Sequence, residues 1–229
     1  MDLLQQNSDE IINCCTDLQP QALHLIPRAF VRQPSGLHLD LLNPSTDGWT
    51  DEDLAIGLSR TYRWGGHSTW PLPLSVAQHS ITVVELYKRF AKRPLTCVEM
   101  LRELLHDADE ALIGGFDPIS PIKPILGPGY AQIAAKLQAA AFSRYRVPEW
   151  SSEDKQIHKR ADHLAAASEA VHVAGWSADE VQDLLNIGLT PLKTDPLAEV
   201  YGCKPWEPWP PAVAAERFLD QLKQLSKAA

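Results

Sequence analysis

The chain has little of what would tie it to a membrane, a nucleic-acid polymer or an oxidising compartment. Four cysteines occur, Cys14, Cys15, Cys97 and Cys203, and no two are spaced C-x-x-C. Neither a zinc ribbon nor a disulfide framework is expected, and scattered thiols fit a reducing cytosol. No apolar run is long enough to span a bilayer, and residues 1–30 lack the basic and apolar regions of a signal peptide. The expectation is a cytoplasmic protein. Positive charge is also short, with a formal net charge of -8. Backbone-driven binding to nucleic acid needs a basic surface and is disfavoured. A small phosphorylated substrate remains open, because a bound dication and a few local cations can invert the field inside a cleft.

Runs of alternating polarity are nearly absent, as are internal repeats and low-complexity tracts. What is present is helical period, punctuated by Gly and Pro. With 229 residues, 45 % of them hydrophobic, the chain can build one sizeable core. The reading is an all-α domain over residues 31–229, preceded by a less regular N-terminal extension over 1–30. The best strand-like piece is Gly36–Leu42, followed by the turn-rich Asn43–Gly48. It reads as an extended segment or small hairpin.

Capping boxes mark the helix starts. Thr50 with Asp53 predicts a helix through about Tyr62. Ser75 with Gln78 predicts one through Phe90, with Ile81, Val84 and Phe90 available for its inward face. Thr96 with Glu99 predicts a single helix over Cys97–Leu112, stopped by Gly114-Gly115. Ser151 with Asp154 opens a long helix ending near Gly175, and Ser177 with Glu180 opens another closed by Gly188. Residues 130–145 are Ala-rich and helical in period. A last helix starts near Pro211 and carries Phe218, Leu219, Leu222 and Leu225. Thr190–Pro210 reads as an ordered loop packed back through Trp206 and Trp209.

Three of these helices carry groups that a structural helix does not need: His79, then His106-Asp107 with Glu110, then Asp162. Adjacent helical residues lie about 100° apart, so His106 and Asp107 reach one ion only from two sides. Glu110 hangs over the same patch as i+4 and i+3 partner of that pair. Two imidazoles and two carboxylates make a mixed shell that suits Mn²⁺, Co²⁺, Fe²⁺, Zn²⁺ or Ni²⁺ better than a thiolate site would. Such a shell leaves room for water and a substrate oxygen. The bland alternative is an ordinary core or surface histidine beside a chance His-Asp dipeptide. Against it stand Leu101, Leu104, Leu105, Ala108 and Leu112, which bury the helix. Placing His106, Asp107 and Glu110 among them is costly without a cation or partners. His158, His163 and His172 share the Asp162 helix; His158, four residues before Asp162, could support the ligands from behind, but a solvated face is the expectation.

At these residues the chain resembles the HD-domain phosphohydrolase superfamily, and within it the bacterial 5'-deoxynucleotidases and phage dNTP phosphohydrolases. The resembling stretch runs from about Gly36 to about Trp176. Its landmarks are Leu58-Ser59-Arg60, Arg63-Trp64-Gly65-Gly66-His67, Ser75-Val76-Ala77-Gln78-His79-Ser80 and Leu105-His106-Asp107-Ala108-Asp109-Glu110-Ala111. Ile119-Ser120-Pro121-Ile122-Lys123 and Arg160-Ala161-Asp162 follow. The resemblance implies a helical-bundle hydrolase, forming a homodimer, with a divalent metal (Mn, Co, Zn, Fe, Ni or Mg) on His79, His106, Asp107 and Asp162. Glu110 matches the family's catalytic acid/base, acting beside Asp107. Arg63 and Trp64 match residues lining the nucleotide pocket, with Arg63 facing phosphate. Asp117 matches an acid that contacts the sugar, and Lys123 closes the same loop. His67 is a further candidate for phosphate or a second metal, with an ordinary loop histidine an equal alternative. The loop from Glu110 to Asp117, with Gly114, Gly115 and Phe116, looks longer than in monophosphate-specific nucleotidases.

The expected activity is metal-dependent cleavage of the 5'-phosphate ester of a (deoxy)nucleoside monophosphate, giving nucleoside and phosphate. One alternative is a (d)NTP triphosphohydrolase, whose pocket should be wider and more basic near Arg63, His67, Lys123 and Lys136. The other is a non-catalytic nucleotide-binding module, which has no need of an acid such as Glu110.

Overall fold

The capping residues read from the sequence start helices in the computed structural model, which describes residues 28–228. A short antiparallel hairpin comes first: β1 (Phe30–Arg32) pairs with β2 (His38–Asp40), Val31 opposite Leu39. Thr50 and Asp53 then cap each other reciprocally and open α1 (Asp51–Arg60). Ser75 caps α2 (Val76–Ala91), and the Thr96–Glu99 box opens α3 (Cys97–Leu104). After these come α4 (Ala108–Leu112) and α5 (Gly127–Arg144). Ser151 starts α6 (Ser152–His172), and the Ser177–Glu180 box starts α7 (Ala178–Leu185). The chain closes with α8 (Pro196–Tyr201) and α9 (Pro211–Lys227). Nine α-helices and one two-stranded hairpin among the described residues make this an all-α protein. The expected extension over 1–30 lies outside the described residues up to position 27, and Cys14 and Cys15 lie there too.

Three expectations need correction. The helix predicted over Cys97–Leu112 is two helices, broken between Leu104 and Ala108. α7 stops at Asn186, in the left-handed conformation (φ 54°), ahead of Gly188; Asn tolerates that conformation better than most side chains. The loop over 190–210 contains α8, because buried Asp195 organises it. One Asp195 oxygen accepts from Leu197 N–H at 2.8 Å, and the other from Trp206 N–H at 2.7 Å.

α2 runs through the middle of the molecule, against α1, α3, α6, α8 and α9. Its Ile81 and Val84 are buried with Leu101, Leu104, Leu105, Phe218 and Leu222 in the main core, while Phe90 is only half-buried. Each such leucine contributes about 1.5–3 kcal/mol relative to exposure. Trp206 and Trp209 pack back as expected. Buried Gln78 clamps their loop, with Oε1 accepting from Trp209 N–H and Nε2 donating to Glu207 O. Among the described residues no helix is long and apolar enough to cross a membrane.

Candidate metal centre

The break between α3 and α4 makes the centre. Leu105 (ψ 8°) and Asp107 (ψ 26°) leave helical geometry, and Ala108 N–H and Glu110 N–H bond back three residues, to Leu105 O and Asp107 O. This tight turn removes the angular separation that a regular helix would impose on adjacent side chains. His106 and Asp107 now face the same point, with His106 Nε2 3.1 Å from Asp107 Oδ2. From α2, fully buried His79 brings its Nε2 to 3.7 Å from the same oxygen. One ligand atom from each of His79, His106 and Asp107 lies within 4.8 Å of the others. These three residues can hold a metal ion. Asp162, from α6, adjoins the group with Oδ1 3.2 Å from His79 Nε2, and its side chain stays 32 % exposed.

The ring orientations fit a cation. His106 Nδ1 donates to Glu103 O at 2.7 Å, and a carbonyl can only accept. His79 Nδ1 donates to Glu169 Oε1 at 2.8 Å. Both rings therefore turn Nε2 towards the carboxylates, and both Nε2 atoms are buried without an aligned hydrogen-bond partner. Orphaned buried imidazole nitrogens are costly unless something positive sits between them and the acids. A hydrogen bond from Nδ1 is also what usually orients a metal-ligating histidine. Burial pushes His106 down, but Asp107 outweighs it and draws the imidazole up to about 9. Burial likewise opposes ionisation of Asp107, and His106 and His79 still hold its carboxyl well below the usual range.

Glu110 lies on α4, one turn past the break and almost fully buried. Its Oε1 accepts from Lys123 Nζ at 3.2 Å, and its Oε2 has no partner. Burial first, then Asp107 and Asp117, push this carboxyl well above the ordinary range. Asp109 is raised to about 7 by burial and Asp107, yet it does not line the cavity.

Arg63 and Trp64 occupy a short 3₁₀ turn, Arg63–Gly66. Tyr62 bridges to Ser75 and Arg63 N–H bonds Leu74 O, which fixes the turn against the start of α2. Trp64 and Gly65 both adopt left-handed backbone (φ 58° and 63°). Arg63 Nε donates to Glu169 Oε2 at 3.0 Å, while Nη1 stands 3.5 Å from Asp117 Oδ2 and 3.9 Å from Asp107 Oδ2.

A cavity of about 520 Å³ opens beside the centre. Arg63, Lys123, Asp107, Glu110, Asp117 and Asp162 form its charged side. Trp64, Ile119, Ala166, Leu184, Leu185 and Ile187 form an apolar wall. Of the anticipated substrate contacts, Arg63, Trp64, Asp117 and Lys123 are thus brought together. His67 is not: it is exposed and outside the lining, because the left-handed turn carries the chain outward after Trp64. Lys136 also stands outside, donating to Leu42 O. His163 is exposed as expected, at the cavity mouth. His158 and His172 are not solvated. His158 Nδ1 donates to Glu103 Oε2 at 2.7 Å with its ring edge-on to His106, and His172 stacks on Trp206. Glu169 was missed. Its signal was an isolated acid two turns beyond Asp162, inside the small-residue run Ala165–Ala170.

Fold and site together define the class: an all-α protein with a largely buried His–His–Asp group, its Asp107 on the cavity wall, able to hold a metal ion beside a mixed charged and apolar cavity. The chain is 39 % identical over 154 residues to an uncharacterized protein of Rhodobacter capsulatus, a match spanning 67 % of this chain and 77 % of that protein. It belongs to the same family as that protein. No family model matches the chain.

Proposed function

We propose that the protein is a divalent-metal phosphohydrolase of the HD-domain type, cleaving the 5'-phosphate ester of a (deoxy)nucleoside monophosphate to nucleoside and phosphate. One observation carries the reading: Asp107, of the His–His–Asp group with its two orphaned Nε2 atoms, lines the same cavity as Glu110, one of whose buried carboxyl oxygens has no partner. His79, His106 and Asp107 would hold the ion, with Asp162 at its edge. When bound, the ion supplies positive charge at a phosphoryl oxygen and lowers the pKa of water.

The chain's own residues supply the rest. Glu110 Oε2 accepts a proton from the attacking water as its oxygen bonds to phosphorus. The P–O5' bond breaks, and the same carboxyl returns the proton to the departing alkoxide oxygen. Burial, Asp107 and Asp117 work against the ionised carboxylate that this requires; Lys123, 3.2 Å from Glu110 Oε1, and Arg63 oppose them, and a dication held beside Asp107 would do the same. Arg63 neutralises phosphoryl charge with the nitrogens not committed to Glu169. Trp64 and the apolar wall suit the faces of a base and sugar. Arg63 and Lys123 are the two Lys or Arg side chains on the lining, while His67 and Lys136 stand outside it. This favours one phosphate over three.

A phosphate-release screen over nucleoside mono- and triphosphates with Mn²⁺, Co²⁺, Mg²⁺ and Zn²⁺ tests the reading. Inorganic phosphate from monophosphates is the expected result. Release of triphosphate would replace the substrate, and nucleotide binding without turnover under any metal would overturn the enzyme.

A further inference from the structure

Glu169 uses both of its oxygens. It lies on α6, 2 % exposed, and its Oε1 accepts from His79 Nδ1 at 2.8 Å while Oε2 accepts from Arg63 Nε at 3.0 Å. The two partners belong to different halves of the site: His79 lies behind the cavity in the metal-capable group, and Arg63 lines the cavity on its charged side. A buried carboxylate is a costly link unless its chemistry is needed. Here it is, because both partners must donate. Arg Nε–H has no acceptor capacity. His79 has to donate from Nδ1 if Nε2 is to keep its lone pair for a metal. Gln, with one acceptor oxygen and one donor nitrogen, can satisfy either partner but not both. Asp keeps two acceptors but is one methylene shorter, and must strain to span the same gap.

We propose that Glu169 is a positioning residue shared by the two halves of the site. One oxygen fixes the His79 ring with Nε2 turned to the metal position, and the other fixes the Arg63 guanidinium with its remaining nitrogens turned to the cavity. The Arg63 half rests on the phosphohydrolase reading; the His79 half does not.

The test compares the full-length protein with Glu169→Gln, Glu169→Asp and the double variant Glu169→Gln/Arg63→Ala. Mn²⁺ affinity is measured by calorimetry, and the His79 ring nitrogens by long-range ¹H–¹⁵N correlation with and without Zn²⁺. KM and kcat are measured on a nucleoside monophosphate. Glu169→Gln is expected to weaken Mn²⁺ binding about 10–100-fold, the usual effect of losing a partner of a metal-ligating histidine. It should also weaken or lose the Nδ1–H form of His79 and raise KM. Glu169→Asp should recover part of each. In the double variant Gln has only His79 to serve, so Mn²⁺ affinity should return towards wild type while KM stays high. This variant also removes the buried unpaired cation, and so carries the test if Glu169→Gln does not fold.

Wild-type Mn²⁺ affinity and ring tautomer in a folded Glu169→Gln would overturn the proposal, leaving Glu169 as charge balance only. So would equal loss of affinity in the single and double variants. If the wild type binds Mn²⁺ but hydrolyses no phosphoester, the phosphohydrolase reading fails, and the affinity and tautomer measurements still decide the role at His79.

Discussion

Asp107 Oδ2 faces His106 Nε2, His79 Nε2 and Arg63 Nη1 at 3.1, 3.7 and 3.9 Å. Replacing Asp107 with Ala removes the anion that all three approach. Metal retention and hydrolysis should both fall to background, and full metal content by elemental analysis would contradict the assignment. Glu110→Gln should act differently, since Glu110 belongs to the cavity but not to the ligand group. It should keep the metal and bind nucleotide while kcat falls roughly 10²–10⁴-fold, the usual worth of a positioned general base; calorimetry beside steady-state kinetics separates the two. His106 gives a pH signature. With its metal-free imidazole drawn up to about 9, it is protonated at pH 7.5 and must lose that proton to ligate. Metal uptake near pH 7.5 should therefore release protons, measurable with an indicator in weak buffer, and affinity should climb as pH approaches 9. The linked stability has the opposite sign. A folded pKa above the unfolded value of about 6.5 stabilises the metal-free fold fully below that pH and loses its effect as pH rises through about 9. The metal-free Tm should drift down over that window.

The helix starts were legible because an N-cap is a local device: Thr50, Ser75, Thr96, Ser151 and Ser177 each bond an N–H three residues on. The break at the centre was not. Leu101, Leu104, Leu105, Ala108 and Leu112 keep helical period straight across it, so the apolar pattern conceals the turn. The members of the His–His–Asp group were readable by type and surroundings, whereas Glu169 was not, because a lone acid acquires its contacts only from the helices it meets. That His67 falls outside the cavity lining was not legible, because a left-handed Trp64 has no sequence signature. The position of α4 depends on a close approach from α1. A Cβ on Gly57 would lie 3.0 Å from Ala111 Cβ, next to Glu110. Gly57→Ala should gain about 1 kcal/mol of helix propensity but lose about 1–3 kcal/mol to overpacking. Thermal denaturation should show a net lower Tm, and adding Ala111→Gly should remove the crowding term; a Tm above wild type for the single variant would show that α4 yields freely.

For the whole molecule, an ion bound to residues from α2 and the α3–α4 break would tie separate elements together and has no equivalent site in the unfolded state. Saturation at about 100 times Kd should stabilise the fold by about 2.7 kcal/mol. For a domain of this size that corresponds to a rise in Tm of roughly 5–10 °C, reversed by a chelator. Scanning calorimetry with Mn²⁺ and with chelator checks this, and an unchanged Tm would argue against occupancy of the centre.

The indole pair at the cavity has an optical consequence. Trp64 and Trp176 stand 6.1 Å apart at an interplanar angle of 49°, close and skewed enough for their transition dipoles to couple. Such a pair gives a near-ultraviolet circular-dichroism couplet whose sign and size follow the relative tilt of the rings. Trp64 lines the cavity and its Nε1 has no partner, so a molecule seated against it would change that tilt or local polarisability. Occupancy should then be readable without a label, from a Trp64→Phe difference spectrum.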